Sequence, residues 1–175
     1  MIQGRPGVTQ MLTSRLSLPI LAAALFLLAV PAGAQAPRAL IIDQPDAPVV
    51  ITKYTARQLG TGKVESGINH RLEYRNQTER RVEAIEVGIV AFDIWNEYLD
   101  KLMATDLDSL GSGKSGDGSW IHDPAAAFLF HTGVVYVSRV RFENGDIWTA
   151  DLDAVAENIR SVQSGFSAEM LKKKS

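Results

Sequence analysis

The 175-residue chain has no cysteine. That excludes a disulfide framework, a thiolate nucleophile, a Cys-ligated zinc and a lipid-bearing cysteine at a leader-cleavage site. It has no surplus of positive charge either: 18 Lys and Arg against 20 Asp and Glu leave a formal charge of −2, so general binding of nucleic acid is not expected. The longest apolar stretch, Leu16 to Val30, is shorter than the ~20 residues a spanning helix needs, and Pro19 and Pro31 bracket a shorter one still. No internal repeat and no second domain is visible.

What is present begins with an export signal. Arg15 supplies a positive flank, the apolar stretch follows, and Ala32-Gly33-Ala34 forms a small-residue cleavage site. The expected cut falls between Ala34 and Gln35, because a cut after Ala36 would put Pro37 beside the scissile bond. A start at Met11 instead of Met1 would give a leader of more ordinary layout. Removing residues 1–34 takes away two basic residues and leaves 141 residues with 16 basic and 20 acidic groups, a charge of about −4. An exported chain without cysteine fits the bacterial periplasm or secretion, with no stable membrane anchor after signal cleavage. Asn76-Gln77-Thr78 matches the glycosylation triplet but reads as a turn.

The mature chain reads as strands. Residues 35–48 form a lead-in in which Leu40-Ile41-Ile42 suits a short strand. Residues 49–166 read as one sandwich domain with a C-terminal helix, and residues 167–175 as a basic, solvated tail. Ile68, His70, Leu72 and Tyr74 alternate with Asn69, Arg71, Glu73 and Arg75, the period of a half-buried strand. Val82 to Trp95, Tyr98 to Leu107, Ala125 to His131 and Val134 to Glu143 continue the pattern, the last placing Val134, Tyr136, Ser138, Val140 and Phe142 on one face. Residues 108–119, rich in glycine and serine, suit a flexible loop. Asn144-Gly145 predicts a two-residue type I′ hairpin, which would set Arg141 opposite Trp148 as a cross-strand cation–π pair. Leu152, Val155, Ile159, Val162 and Phe166 then step at helical spacing, with Asp151 or Asp153 as cap and Gly165 near the end. The fold expected is mainly β, an immunoglobulin-like antiparallel β-sandwich with one C-terminal α-helix.

Asn76-x-Thr78, the apolar strand to Val90, Phe92-Asp93-Ile94-Trp95 and the strand from Tyr136 to Phe142 resemble small exported bacterial domains. Those are immunoglobulin- or fibronectin-III-like modules with a Phe-x-Leu-Tyr-Asp or Phe-Asp-x-x-Gly signature, many of unknown function. The resemblance spans Arg71 to Phe142 and departs from the pattern at Asn96 and Glu97, where a glycine is common. It implies a β-sandwich and a non-catalytic role, and it transfers no functional residue.

Chemistry-bearing motifs are sparse. Gly111-Ser112-Gly113-Lys114-Ser115 lacks the leading glycine of a phosphate loop, with Asp108 in its place. His70, His122 and His131 are not spaced as metal ligands, no cofactor is implied, and His70 suits a hydrogen-bonded core position. His122, Asp123 and His131 are the set an uncharacterised hydrolase would use. The remaining signal is aromatic: Trp95, Tyr98, Trp120, Arg141 and Trp148 are the candidate contact residues. They favour an exported, non-catalytic module that binds an envelope protein, with a carbohydrate-binding module as the alternative. The leader reading carries its own test: intact-mass analysis and N-terminal sequencing of the exported protein are expected to give a chain of 141 residues starting at Gln35, and an N-terminus retaining Leu16 to Val30 would refute it.

Overall fold

The computed structural model of the chain describes residues 38–60 and 67–172; the expected leader and cleavage site lie outside them. The described chain is mainly β, with two sheets and one α-helix. In order, the elements are β1 (Arg38–Ile41), β2 (Val49–Gln58), β3 (Ile68–Asn76), β4 (Val82–Asp93), β5 (Tyr98–Asp106), β6 (Ser115–His122), a 3-10 turn (Ala127–Leu129), β7 (Phe130–Phe142), β8 (Ile147–Thr149), α1 (Leu152–Ile159) and a final 3-10 turn (Ala168–Leu171). The larger sheet runs β1-β7-β4-β5, with β8 also on β7, and the smaller runs β2-β3-β6. All pairings are antiparallel except β1 with β7. The lead-in thus contributes a strand to the larger sheet.

The sheets face each other across a core of Val49, Ile51, Tyr54, Leu72 and Tyr74 from one side and Ile85, Val87, Ile89, Val135 and Val137 from the other. A second core lies on the opposite face of the larger sheet. There Val90, Phe92, Val134 and Tyr136 pack under Val155, Ala156, Ile159, Phe166 and Leu171. The C-terminal segment therefore forms a third layer. Asp151 caps α1 by accepting from the backbone N–H groups of Asp153 and Ala154. The helix stops at Ile159, short of the stripe's end; Phe166 reaches the core from the following loop instead. The basic tail starts later than its charge suggests, because Leu171 is buried.

Strand β7 serves both cores because Ser138 is bulged. Glu86 opposes Arg139 and Val87 opposes Val137, leaving Ser138 unopposed on β4. The extra residue flips the parity of the strand beyond it. Val134 and Tyr136 face the helix, whereas Val140 and Phe142 face the smaller sheet; a single alternating face from Val134 to Phe142 is not formed. The Gln44 side chain completes the β7 edge beside the bulge, donating to the Val137 carbonyl at 2.9 Å and accepting from its N–H at 2.7 Å.

Two other expectations are corrected. Half of the glycine-rich stretch is strand β6, because its glycines admit aromatic rings: a Cβ on Gly118 would lie 2.1 Å from Trp120 and one on Gly116 2.8 Å from Tyr74. The last hairpin is one residue longer than a type I′ turn. Gly145 N–H bonds the Phe142 carbonyl, Phe142 N–H bonds the Asp146 carbonyl, and Gly145 takes a φ of 87°, the geometry of a type I turn with a glycine bulge. Arg141 accordingly opposes Ile147, and Trp148 opposes Val140. The cation–π contact that forms is Arg80 over Phe142, at 3.9 Å.

Gly88 makes room for the ring of its cross-strand partner Tyr136 on the face under the helical layer, since a Cβ there would meet that buried ring at 2.2 Å. Gly88→Ala is expected to cost about 1–3 kcal/mol in denaturant unfolding, and an unchanged midpoint would show that the ring is free to move.

Candidate functional site

The ends of β2, β3, β4, β5, β6 and β7 converge at one pole of the molecule. Asp93 pairs with Phe130 in the larger sheet and Ile68 with His122 in the smaller. Ile68, Ala91, Ala127 and Phe130 join the two sheets there in a small third core. Above it stand two loops. Residues 93–97 form an Asx turn in which buried Asp93 Oδ1 accepts from the N–H groups of Trp95 and Glu97, both at 2.8 Å. Asn96 closes the turn with a φ of 61°, a conformation asparagine tolerates where glycine is otherwise favoured. The turn holds Trp95 out at 78% exposure, with Ile94 at 58% beside it. The second loop follows Pro124 and presents Phe128, 63% exposed, and Leu129. A cleft of about 320 Å³ opens beside it, lined by Gln58, Leu59, Gly67, Asp123, Pro124 and Phe128.

Of the aromatic residues singled out from the sequence, only Trp95 lies on this tip. Tyr98 is half-buried with its ring near Phe92 and Phe166, at 6.4 and 6.1 Å between centroids. Trp120 packs against the inter-sheet core, and Trp148 touches both cores. Arg141 is exposed and pairs with Glu83 at 3.2 Å. The three tryptophans therefore share no platform. The other exposed apolar side chains of these two loops are Ile94, Phe128 and Leu129. Sequence reasoning passes over them because an apolar residue next to a strand reads as core.

Beneath the tip a line of polar side chains crosses between the sheets. The Tyr54 hydroxyl lies 2.8 Å from His70 Nδ1. The His70 and His122 rings are 5.9 Å apart, and Phe130 stands edge-on to His70 at 6.0 Å. His122 Nε2 lies 3.2 Å from Asp100 Oδ2. Both histidines are buried, and each leaves one ring nitrogen, His70 Nε2 and His122 Nδ1, without a protein partner. Burial, assisted by the nearby His122 ring, lowers the His70 pKa to about 3, and burial raises that of Tyr54. The hydrolase set is not assembled: His131 Nδ1 lies 3.2 Å from Thr132 Oγ1, and His122 is engaged by Asp100. Among the described residues, no three His, Asp or Glu side chains are arranged to hold a metal ion.

No known protein family and no curated protein matches this chain in sequence. In structure it is similar to a hypothetical protein from Peptoclostridium difficile 630, with a TM-score of 0.50 and 10% identity over 75% of this chain and 96% of that one. A structural-genomics target solved by X-ray diffraction gives a TM-score of 0.38 at 10% identity, over 59% of this chain and 80% of that one. The first likeness concerns the fold alone.

A neutral, buried His70 makes stability depend on pH. The imidazole ordinarily titrates near 6.5 but holds out to about 3 in the fold, so between those values the unfolded chain binds the extra proton. Its contribution is complete above about pH 6.5 and is lost as the pH falls toward 3, by up to about 1.4 kcal/mol per pH unit. Chemical denaturation across this range is expected to show a shallower pH slope for His70→Gln than for the wild type, and identical slopes would contradict it.

Proposed function

We propose that this chain is an exported, non-catalytic interaction module of the bacterial envelope, built as an immunoglobulin-like sandwich, that docks a protein partner through the tip carrying Trp95. The strand order supports the fold reading. With β1 set aside, the first, second and fifth strands (β2, β3, β6) make one sheet and the third, fourth, sixth and seventh (β4, β5, β7, β8) the other. This is the arrangement of fibronectin-III-like sandwiches, with β1 as an added edge strand.

The observation that carries the functional reading is the exposure of Trp95, 78% of its surface, on a turn fixed by a buried carboxylate. Exposing so large an apolar side chain favours association, and fixing the backbone of its turn lowers the entropy lost on binding. Tryptophan ringed by aliphatic and aromatic neighbours is the composition of an interface hot spot. Ile94, Phe128 and Leu129 are exposed apolar side chains on the same two loops.

The test is crosslinking capture from the native envelope fraction with wild type and Trp95→Ala, identified by mass spectrometry. The expected result is one dominant protein captured by the wild type and reduced about tenfold or more in the variant. Stability should stay within about 0.5 kcal/mol, because an exposed side chain supports little of the core. Equal capture by both proteins would remove the tip from the interface.

A further inference from the structure

Strand β7 runs away from the tip, so the hairpin that joins it to β8 lies at the opposite pole. That hairpin carries a chemically labile pair. Of the chain's five asparagines, only Asn144 precedes a glycine. Asparagine is a labile residue, and a following glycine leaves the next backbone nitrogen unhindered. The Gly145 nitrogen, once stripped of its proton, can attack Asn144 Cγ. The Cγ–Nδ2 bond then breaks and ammonia departs. Water opens the resulting five-membered imide at either carbonyl, leaving aspartate or its β-linked isomer. Water is the sole co-reactant, and Asn144 and Gly145 are both exposed to it.

In the fold both reacting groups are engaged. The Gly145 N–H, whose proton must leave, donates to the Phe142 carbonyl at 2.9 Å. Asn144 Oδ1 accepts from Arg80 Nη2 and, at 3.2 Å, from the Asp146 N–H. Its Nδ2 donates to Asp146 Oδ2 at 2.9 Å. Arg80 closes this clamp from the turn between β3 and β4: it meets Asp146 Oδ2 at 2.7 Å and stacks over the Phe142 ring at 3.9 Å. Hydrogen bonds from Asn144 and Arg80 hold the Asp146 carboxyl below its ordinary range. Both charges of the clamp therefore persist under mildly alkaline conditions, where the Gly145 proton is lost most readily.

We infer that Asn144 is a guarded deamidation site and that Arg80 is the residue that guards it. Forming the imide requires the Gly145 nitrogen to leave Phe142 and the Asn144 amide to leave the clamp, so the reaction runs through opening of the hairpin rather than in the closed fold. Arg80 acts through the Asn144 amide and is a positioning residue. The opposite role is chemically distinct: a guanidinium on Oδ1 could stabilise the oxyanion that forms as Cγ is attacked and so hasten the reaction. The two roles predict opposite effects when Arg80 is removed. Conversion is irreversible and sets a carboxylate against Asp146 in place of Nδ2, so the site keeps a record of hairpin opening. None of this rests on the docking reading.

The test incubates the full chain in mildly alkaline buffer, folded and in unfolding concentrations of urea, and follows the peptide holding Asn144 by mass spectrometry. The readout is the mass gain of an amide becoming a carboxylate. Asp117-Gly118 can form the same imide but returns to its starting mass. Folded wild type is expected to react at least about tenfold more slowly than the unfolded chain. Folded Arg80→Ala is expected to react about three- to tenfold faster than folded wild type, with equal rates for both proteins in urea. Equal rates for folded and unfolded wild type overturn the guarded site. An unchanged rate in folded Arg80→Ala removes Arg80 from the guard, and a slower one assigns it the activating role; either result overturns the inference. Asp146→Ala takes away the other half of the clamp, is expected to act in the same direction, and decides the matter if Arg80→Ala does not fold.

Discussion

One bulge in β7 organises the molecule. A thirteen-residue strand of regular alternation would place all its even-numbered side chains on one side of the sheet. The unopposed Ser138 breaks that parity, so Val134 and Tyr136 reach the helical layer and Val140 and Phe142 reach the facing sheet. The bulge is held from both flanks. Glu86 accepts from Ser138 at 3.1 Å and from Arg139 at 3.0 and 2.6 Å, and Gln44 satisfies the neighbouring Val137. Two cores, two edge partners and three layers therefore depend on the same few residues.

The opposite logic applies at the tip. The inter-sheet core is apolar along most of its length, but near the pole it takes in two histidines and a tyrosine hydroxyl. Buried polar groups in such a place cost stability unless they are paired. Here the pairing is incomplete at one ring nitrogen of each histidine. Above it, the buried Asp93 carboxylate fixes the backbone of the turn that exposes Trp95.

Much of the fold is legible from local pattern. Alternation along residues 68–75 marks β3, and the pattern of residues 82–95 marks β4, because a period of two survives wherever one face of a strand is buried. The start of α1 is legible from Asp151. Its end is not, because Val162 and Phe166 reach the same core from irregular backbone and mimic a longer stripe. Strand β6 is hidden because its glycines read as loop residues, although their small size is what admits the rings of Trp120 and Tyr74. The hairpin register differs by one residue from the one Asn144-Gly145 suggests, since Asn-Gly serves equally in a two-residue turn and in a longer turn with a glycine bulge.

The candidate site shows the same division more sharply. Local pattern is enough for the β-rich class, the polar turns, the capped helix and the buried position of His70, since each depends on residues near one another in the chain. The long-range fold sets the rest: Asp100 meets His122, Trp120 and Trp148 pack inward while Trp95 stays exposed, and Ser138 bulges. Those outcomes depend on which strands pair and in what register. Register is set by the summed packing of two sheets and a helix, which no local stretch of sequence contains.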